Sequence, residues 1–156
     1  MKIIKFLASF FATKSDAPTK TYRTLAGGLV RDYGVPNDIF QLHDLYFEQK
    51  PRVGSPVNMH FTGQLYRSVS WNSKMFVKLD YNGTNLINLT ESICELATDL
   101  ETGCSCPISP QRFNMRVSIP IPFILPPGDY KFHLRGQSDQ KEHIFKASVH
   151  LKLGAQ

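Results

Sequence analysis

From Asp38 onward the apolar residues fall at alternate positions, the period that places every second side chain on one face of a strand. Ile39 to Glu48 reads as a first strand, ended by Lys50-Pro51-Arg52-Val53-Gly54-Ser55-Pro56, where two prolines and a glycine stop ladder pairing. Val57, Met59, Phe61, Gly63 and Leu65 then share a face, with Asn58, His60, Thr62 and Gln64 opposite. Met75, Val77, Leu79 and Tyr81 repeat the pattern up to the turn signal Asn82-Gly83, after which Thr84 to Leu89 pairs back as a hairpin. Glu91 to Cys106 lacks the period and reads as a loop with a helical turn. Phe113 to Ile121 alternates again, and Pro120, Pro122, Pro126, Pro127 and Gly128 break the chain before Tyr130, Phe132 and Leu134. A last strand spans His143 to Leu153, with Phe145, Ala147, Val149, Leu151 and Leu153 inward.

Seven short strands, frequent turn signals and no βαβ alternation or internal repeat predict an all-β, two-sheet sandwich. Its inner face carries large, adaptable side chains: Met59, Phe61, Met75, Phe113, Met115 and Phe132. Periodicity alone leaves two readings open, a solid core at ordinary density or two sheets that stand apart around an apolar ligand cavity.

The chain has 156 residues, one domain's worth, with 42% hydrophobic and 20% charged residues, which excludes a largely disordered chain or a coiled coil. Lys2, Lys5 and Lys14 against Asp16 account for two of its five net positive charges. No basic stripe remains for nucleic acid, although weak attraction to an anionic membrane is compatible with the surplus. Met1 to Ala12, a basic start and a short apolar run, fits a signal peptide better than a membrane span, and residues 13–28 read as linker or propeptide before a domain over 29–156. Asn82-Gly83-Thr84 and Asn88-Leu89-Thr90 are glycosylation acceptors in a secreted chain. Cys94, Cys104 and Cys106 are an odd count, so one disulfide and a leftover thiol is the simplest arithmetic there.

Reactive chemistry is missing from the pattern. His43, His60, His133, His143 and His150 show no zinc spacing, there is no G-x-S-x-G elbow, and Cys104-Ser105-Cys106 lacks a second ligand pair. His60 and His150 fall on the polar side of their strands and read as solvated. We therefore expect no catalytic residue, no metal and no cofactor.

Cys106-Pro107-Ile108, and Ile119-Pro120 through Leu125-Pro126-Pro127-Gly128-Asp129-Tyr130, resemble the CPI and "IP…PPGxY" signatures of the ML lipid-recognition family. Upstream, Lys50 to Gly54 with Phe61-Thr62-Gly63, and Tyr81 to Cys94, resemble its proline–glycine turn, its glycine-ended strand and its hairpin with a following cysteine. The resemblance spans Leu29 to Leu153 and is nearest to fungal phosphatidylglycerol/phosphatidylinositol transfer proteins and Niemann–Pick type C sterol carriers. It implies an immunoglobulin-like sandwich with lipid tails between the sheets, and a Cys94–Cys106 disulfide, with Cys94–Cys104 close in loop entropy. The family's disulfide between first and last strands falls on Tyr33 and on Ile144 or Phe145, so both partners are replaced together.

On that basis we expect a non-enzymatic carrier of phospholipid or sterol, a monomer in the secreted or vacuolar/lysosomal space that touches membranes transiently. Met59, Phe61, Met75, Val77, Met115, Val117, Phe132 and Val149 are its expected cavity lining, and Asn82 and Asn88 its glycosylation sites. The alternative is a lipid-recognition module that docks a protein partner: a hydrophobic exposed rim would favour it, whereas a plain mouth with Lys and Arg nearby would favour transfer.

Overall fold

The alternating segments become strands. A computed structural model describes residues 22–154; the expected leader over 1–12 and the first part of the expected linker lie outside the described residues. Nine strands follow in order: β1 (Arg23–Leu25), β2 (Val30–Asp32), β3 (Phe40–Phe47), β4 (Val57–Leu65), β5 (Lys74–Tyr81), β6 (Thr84–Ser92), β7 (Gln111–Ile119), β8 (Gly128–Gln137) and β9 (His143–Leu153). One helix, α1 (Ile93–Asp99), sits between β6 and β7. All pairings are antiparallel, in a six-stranded sheet of order β1-β2-β9-β8-β5-β6 and a three-stranded sheet of order β3-β4-β7.

Paired structure begins upstream of residue 29. Residues 23–28, read from sequence as linker, hold β1 and a helical turn over Ala26–Gly28, and β1 pairs with β2, which pairs with β9. Arg23 fixes this edge: it hydrogen-bonds Asp32 at 3.0 Å and the carbonyls of Leu42 and His43 on β3, joining the two sheets. The pairing of β2 with β9 continues one residue further, where Tyr33 N–H donates to the Lys146 carbonyl at 2.9 Å.

The helix has a local cause. Ser92 caps its N-terminus by accepting from Glu95 N–H at 3.3 Å, an S-x-x-E pattern, while Ile93, Leu96 and Ala97 supply apolar positions at helical spacing. Cys94 on α1 is bonded to Cys106, Cα–Cα 5.8 Å, which fastens the helix to the lead-in of β7; Cys104 is free and half-buried.

Two clusters of buried apolar residues sit at the ends of the sandwich, while Val30, Leu45, Val57 and Val117 are buried outside them. The upper cluster is Ile39, Leu65, Val69, Ile108 and Ile144, joined by Phe40, Ile93, Phe113 and Phe145. The lower is Val53, Tyr130, Leu151 and Leu153, joined by Phe47, Leu79, Tyr81, Ile121 and Leu125. Two close approaches tighten these ends. A Cβ on Gly63 would lie 2.4 Å from Phe40 Cζ, and one on Gly136 would lie 2.7 Å from Phe145 Cε1, so both sites admit only hydrogen.

Candidate lipid-binding site

Strand register decides which side chains face the space between the sheets, because directly opposed residues share a face. On the small sheet the inward rows are Leu45–Phe61–Met115 and Phe47–Met59–Val117. On the large sheet they are Leu89–Val77–Leu134–Ala147, Ile87–Leu79–Phe132–Val149 and Glu91–Met75–Gly136–Phe145. All eight side chains expected to line a cavity therefore point inward, from both sheets.

Their packing differs. Met59, Phe61, Met75, Val77 and Met115 are half-buried and belong to neither end cluster, so they occupy the middle level of the sandwich. Phe61 touches the upper end through an edge-on contact with Phe40, ring centroids 6.3 Å apart. Phe132 and Val149 instead pack against the lower cluster, and Val117 is buried. Buried and half-buried positions share these rows: Leu45, 8% exposed, lies opposite Phe61, and Val117, 4% exposed, lies opposite Met59.

The large sheet carries its apolar rows out to an uncovered edge. Ile87 and Leu89 on β6 extend the rows of Leu79 and Val77, yet remain 41% and 47% exposed, with Leu86 beside them at 56%. Ile119, at the end of β7, and Phe123 and Ile124, in the loop that follows, are also exposed. The opposite edge is closed by Arg23, with an open groove of about 360 Å³ lined by residues such as Leu29, Tyr46, Phe47 and Lys50. The expected lining omitted Ile87, Leu89 and Leu134, although Leu134 follows the same alternation as Phe132. Exposure of Phe123 and Ile124 had no signal in the pattern.

Apart from Glu91, the inward rows named above are apolar. His60 is not the solvated side chain expected of its position: its Nε2 lies 2.6 Å from Glu48 Oε1, and its ring stacks on Tyr46 at 4.9 Å. Arg116 grips the same carboxylate with both ends of its guanidinium, at 2.6 and 3.1 Å. Those hydrogen bonds, Arg116 first and His60 second, hold the Glu48 carboxyl down at about 2. This group lies on the outer face of the small sheet. On the outer face of the large sheet, Asp80 lies 3.2 Å from His133 Nε2 and 3.7 Å from Lys78 Nζ. Burial lowers the His133 pKa, against the pull of Asp80.

The two acceptor asparagines are exposed. Asn82 turns the β5–β6 hairpin and accepts from Asp129 N–H at 2.9 Å, and Asn88 donates to Asn85 at 2.9 Å. Among the described residues, no group of three His, Cys, Asp or Glu side chains is placed to hold a metal, and no helix is long and apolar enough to cross a membrane.

A family described as the ML domain matches residues 34–152. No curated protein matches the chain. Among solved structures, a Niemann-Pick type C2 protein from the Japanese carpenter ant is similar at 13% identity and a TM-score of 0.53, covering 74% of this chain and 93% of that one. Chicken MD-1 complexed with lipid IVa is similar at 13% identity and a TM-score of 0.52, covering 86% and 99%. At such identity the two likenesses show a common β-sandwich fold.

Proposed function

This chain belongs to the ML domain family, and on that footing we propose that it is a lipid-binding protein that carries a phospholipid or sterol between membranes without covalent chemistry. The observation that carries the reading is the half-buried middle of the sandwich. Met59, Phe61, Met75, Val77 and Met115 lie half-buried on the inward faces of the two sheets and outside both end clusters, and Ile87 and Leu89 continue the large sheet's rows to the exposed edge. Such side chains lose water contact most completely when a lipid tail lies among them.

The energetics favour a carrier. A free lipid crossing water exposes its tail at ~0.8 kcal/mol per CH₂, and an apolar space between sheets removes much of that barrier. Adaptable methionines suit tails of varied shape, since the thioether side chain fills irregular gaps at small rotamer cost. Phosphatidylglycerol, phosphatidylinositol and sterols are the candidate cargoes. The Cys94–Cys106 disulfide fits an oxidising extracellular or lumenal compartment.

One observation favours a second reading. The open edge carries a hydrophobic rim, Leu86, Ile87, Leu89 and Ile119, which is the feature expected of a module that presents lipid to a protein partner. Transfer assays separate the two. A carrier moves fluorescent phosphatidylglycerol or sterol from donor to acceptor vesicles when purified alone; a recognition module binds the lipid but leaves the donor-to-acceptor rate at its spontaneous value.

A further inference from the structure

Phe123 and Ile124 are the most exposed large apolar side chains among the described residues, at 78% and 83%. They occupy the two corners of a turn closed by the Leu125 N–H to Pro122 carbonyl hydrogen bond at 3.3 Å. Turn corners ordinarily take Gly, Asn, Asp, Ser or Pro, so two bulky apolar residues there run against the local chemistry.

The stems of this loop are fixed. Ile121 and Leu125, on either side of the corners, pack into the lower end cluster. The Ile121 carbonyl accepts from Gly54 N–H at 3.0 Å, the Pro126 carbonyl from the Tyr130 hydroxyl at 2.7 Å, and the Pro127 carbonyl from the Tyr81 hydroxyl at 2.8 Å. Pro120, Pro122, Pro126 and Pro127 further restrict the backbone. A loop held this firmly presents Phe123 and Ile124 as a built knob.

We propose that this knob is a membrane anchor: Phe123 and Ile124 insert into the outer layer of an anionic bilayer and bring the lower end of the sandwich to the lipid surface. The inference rests on the lipid-carrier reading and adds the place of contact. Charge complementarity selects the occupant. Lys50 and Arg52 are exposed on the β3–β4 loop, which is bonded to the knob through Gly54, and neither is in an ion pair among the described residues. The carboxylates of Glu48 and Asp80 are engaged by Arg116 and Lys78, and Asp129 lies across from Lys152 in the strand register. Shape argues the same way. Two corner side chains offer on the order of 300 Å², far below the ~800 Å² per partner of a stable protein interface, whereas insertion into lipid needs only a projecting apolar tip.

The full chain is tested with Phe123→Trp placed in a Trp71→Phe background, because Trp71 is the sole tryptophan. On vesicles of phosphatidylcholine with phosphatidylglycerol, the emission of the introduced tryptophan should shift to the blue and be quenched by brominated acyl chains. A Phe123→Ser/Ile124→Ser variant should bind these vesicles at least ~10-fold more weakly, from the apolar burial it forgoes. Its uptake of dioctanoyl-phosphatidylglycerol from solution, read by native mass spectrometry, should match the parent. Lys50→Gln/Arg52→Gln should weaken vesicle binding and flatten its dependence on salt. An unshifted, unquenched tryptophan, or a serine variant that binds as tightly as the parent, overturns the anchor and leaves the knob to a protein partner. A parent that takes up no short-chain lipid, with insertion intact, overturns the carrier reading instead.

Discussion

Truncating a side chain in the middle of this sandwich should cost far less than truncating one at its ends. Ile144 is 3% exposed in the upper cluster, packed with Ile39, Leu65 and Phe145, so Ile144→Ala opens a cavity and should cost ~2–5 kcal/mol. Met115 is half-buried and belongs to neither cluster, so its truncation removes fewer packing contacts than that of Ile144. Met115→Ala in delipidated protein should therefore cost at most about 1 kcal/mol, the transfer part for an incompletely buried side chain. Urea unfolding followed by tryptophan fluorescence and circular dichroism reads both, and at ~1–3 kcal/mol per molar the Ile144 variant should move its midpoint by ~1 M or more. Should Ile144→Ala fail to fold, Ile144→Val carries the comparison at ~0.5–1.5 kcal/mol. Adding lipid at about 100 times its dissociation constant should stabilise the parent by ~2.7 kcal/mol and leave Met115→Asp unchanged. A delipidated Met115→Ala that loses as much as Ile144→Ala would show a filled middle and refute the reasoning.

Further outcomes follow from particular contacts. The Glu48 carboxyl titrates at about 2 in the folded chain against 4.5 for an ordinary glutamate, so between those values the unfolded state binds more protons. Stability from the Arg116 and His60 contacts should be whole above pH 4.5 and fall away toward pH 2; Glu48→Gln should lose that acid sensitivity in a pH series of thermal melts. Reducing Cys94–Cys106, which closes a short loop with a sequence separation of 12, should destabilise by ~2–4 kcal/mol, while Cys104→Ser should leave the unfolding midpoint in place. Gly63→Ala would press a Cβ against Phe40 and the Gln41 carbonyl at 2.4 and 2.7 Å and should cost ~1–3 kcal/mol in the same urea assay.

The periodic parts of the fold were legible. The β9 expectation, His143 to Leu153, coincides with the observed strand, and the shared face of Val57, Met59, Phe61, Gly63 and Leu65 matches the β4 register. Strands β1 and β2 were missed because three residues are too few to show a period, and the place of β2 is set by pairing with β9, more than a hundred positions away. The helical turn read within Glu91 to Cys106 is the helix Ile93–Asp99, whose start is marked by the Ser92-Ile93-Cys94-Glu95 capping pattern. Inward orientation could be read from sequence; the depth of packing could not. Phe132 and Met115 share the same alternating pattern, yet Phe132 meets the lower cluster while Met115 meets none, a difference set by which loops fold over each end. His60 looked solvated because its partners, Glu48 and Arg116, reach it only through strand pairing.

The most direct test is the lipid itself. Native mass spectrometry of the full chain, purified and then incubated with phosphatidylglycerol, phosphatidylinositol and sterol, should show one lipid per chain, retained by the parent and lost in a Val77→Asp/Met115→Asp variant that keeps its β-sheet circular dichroism. A parent chain that takes up none of these lipids, or a folded double variant that holds them as well as the parent, would contradict the account.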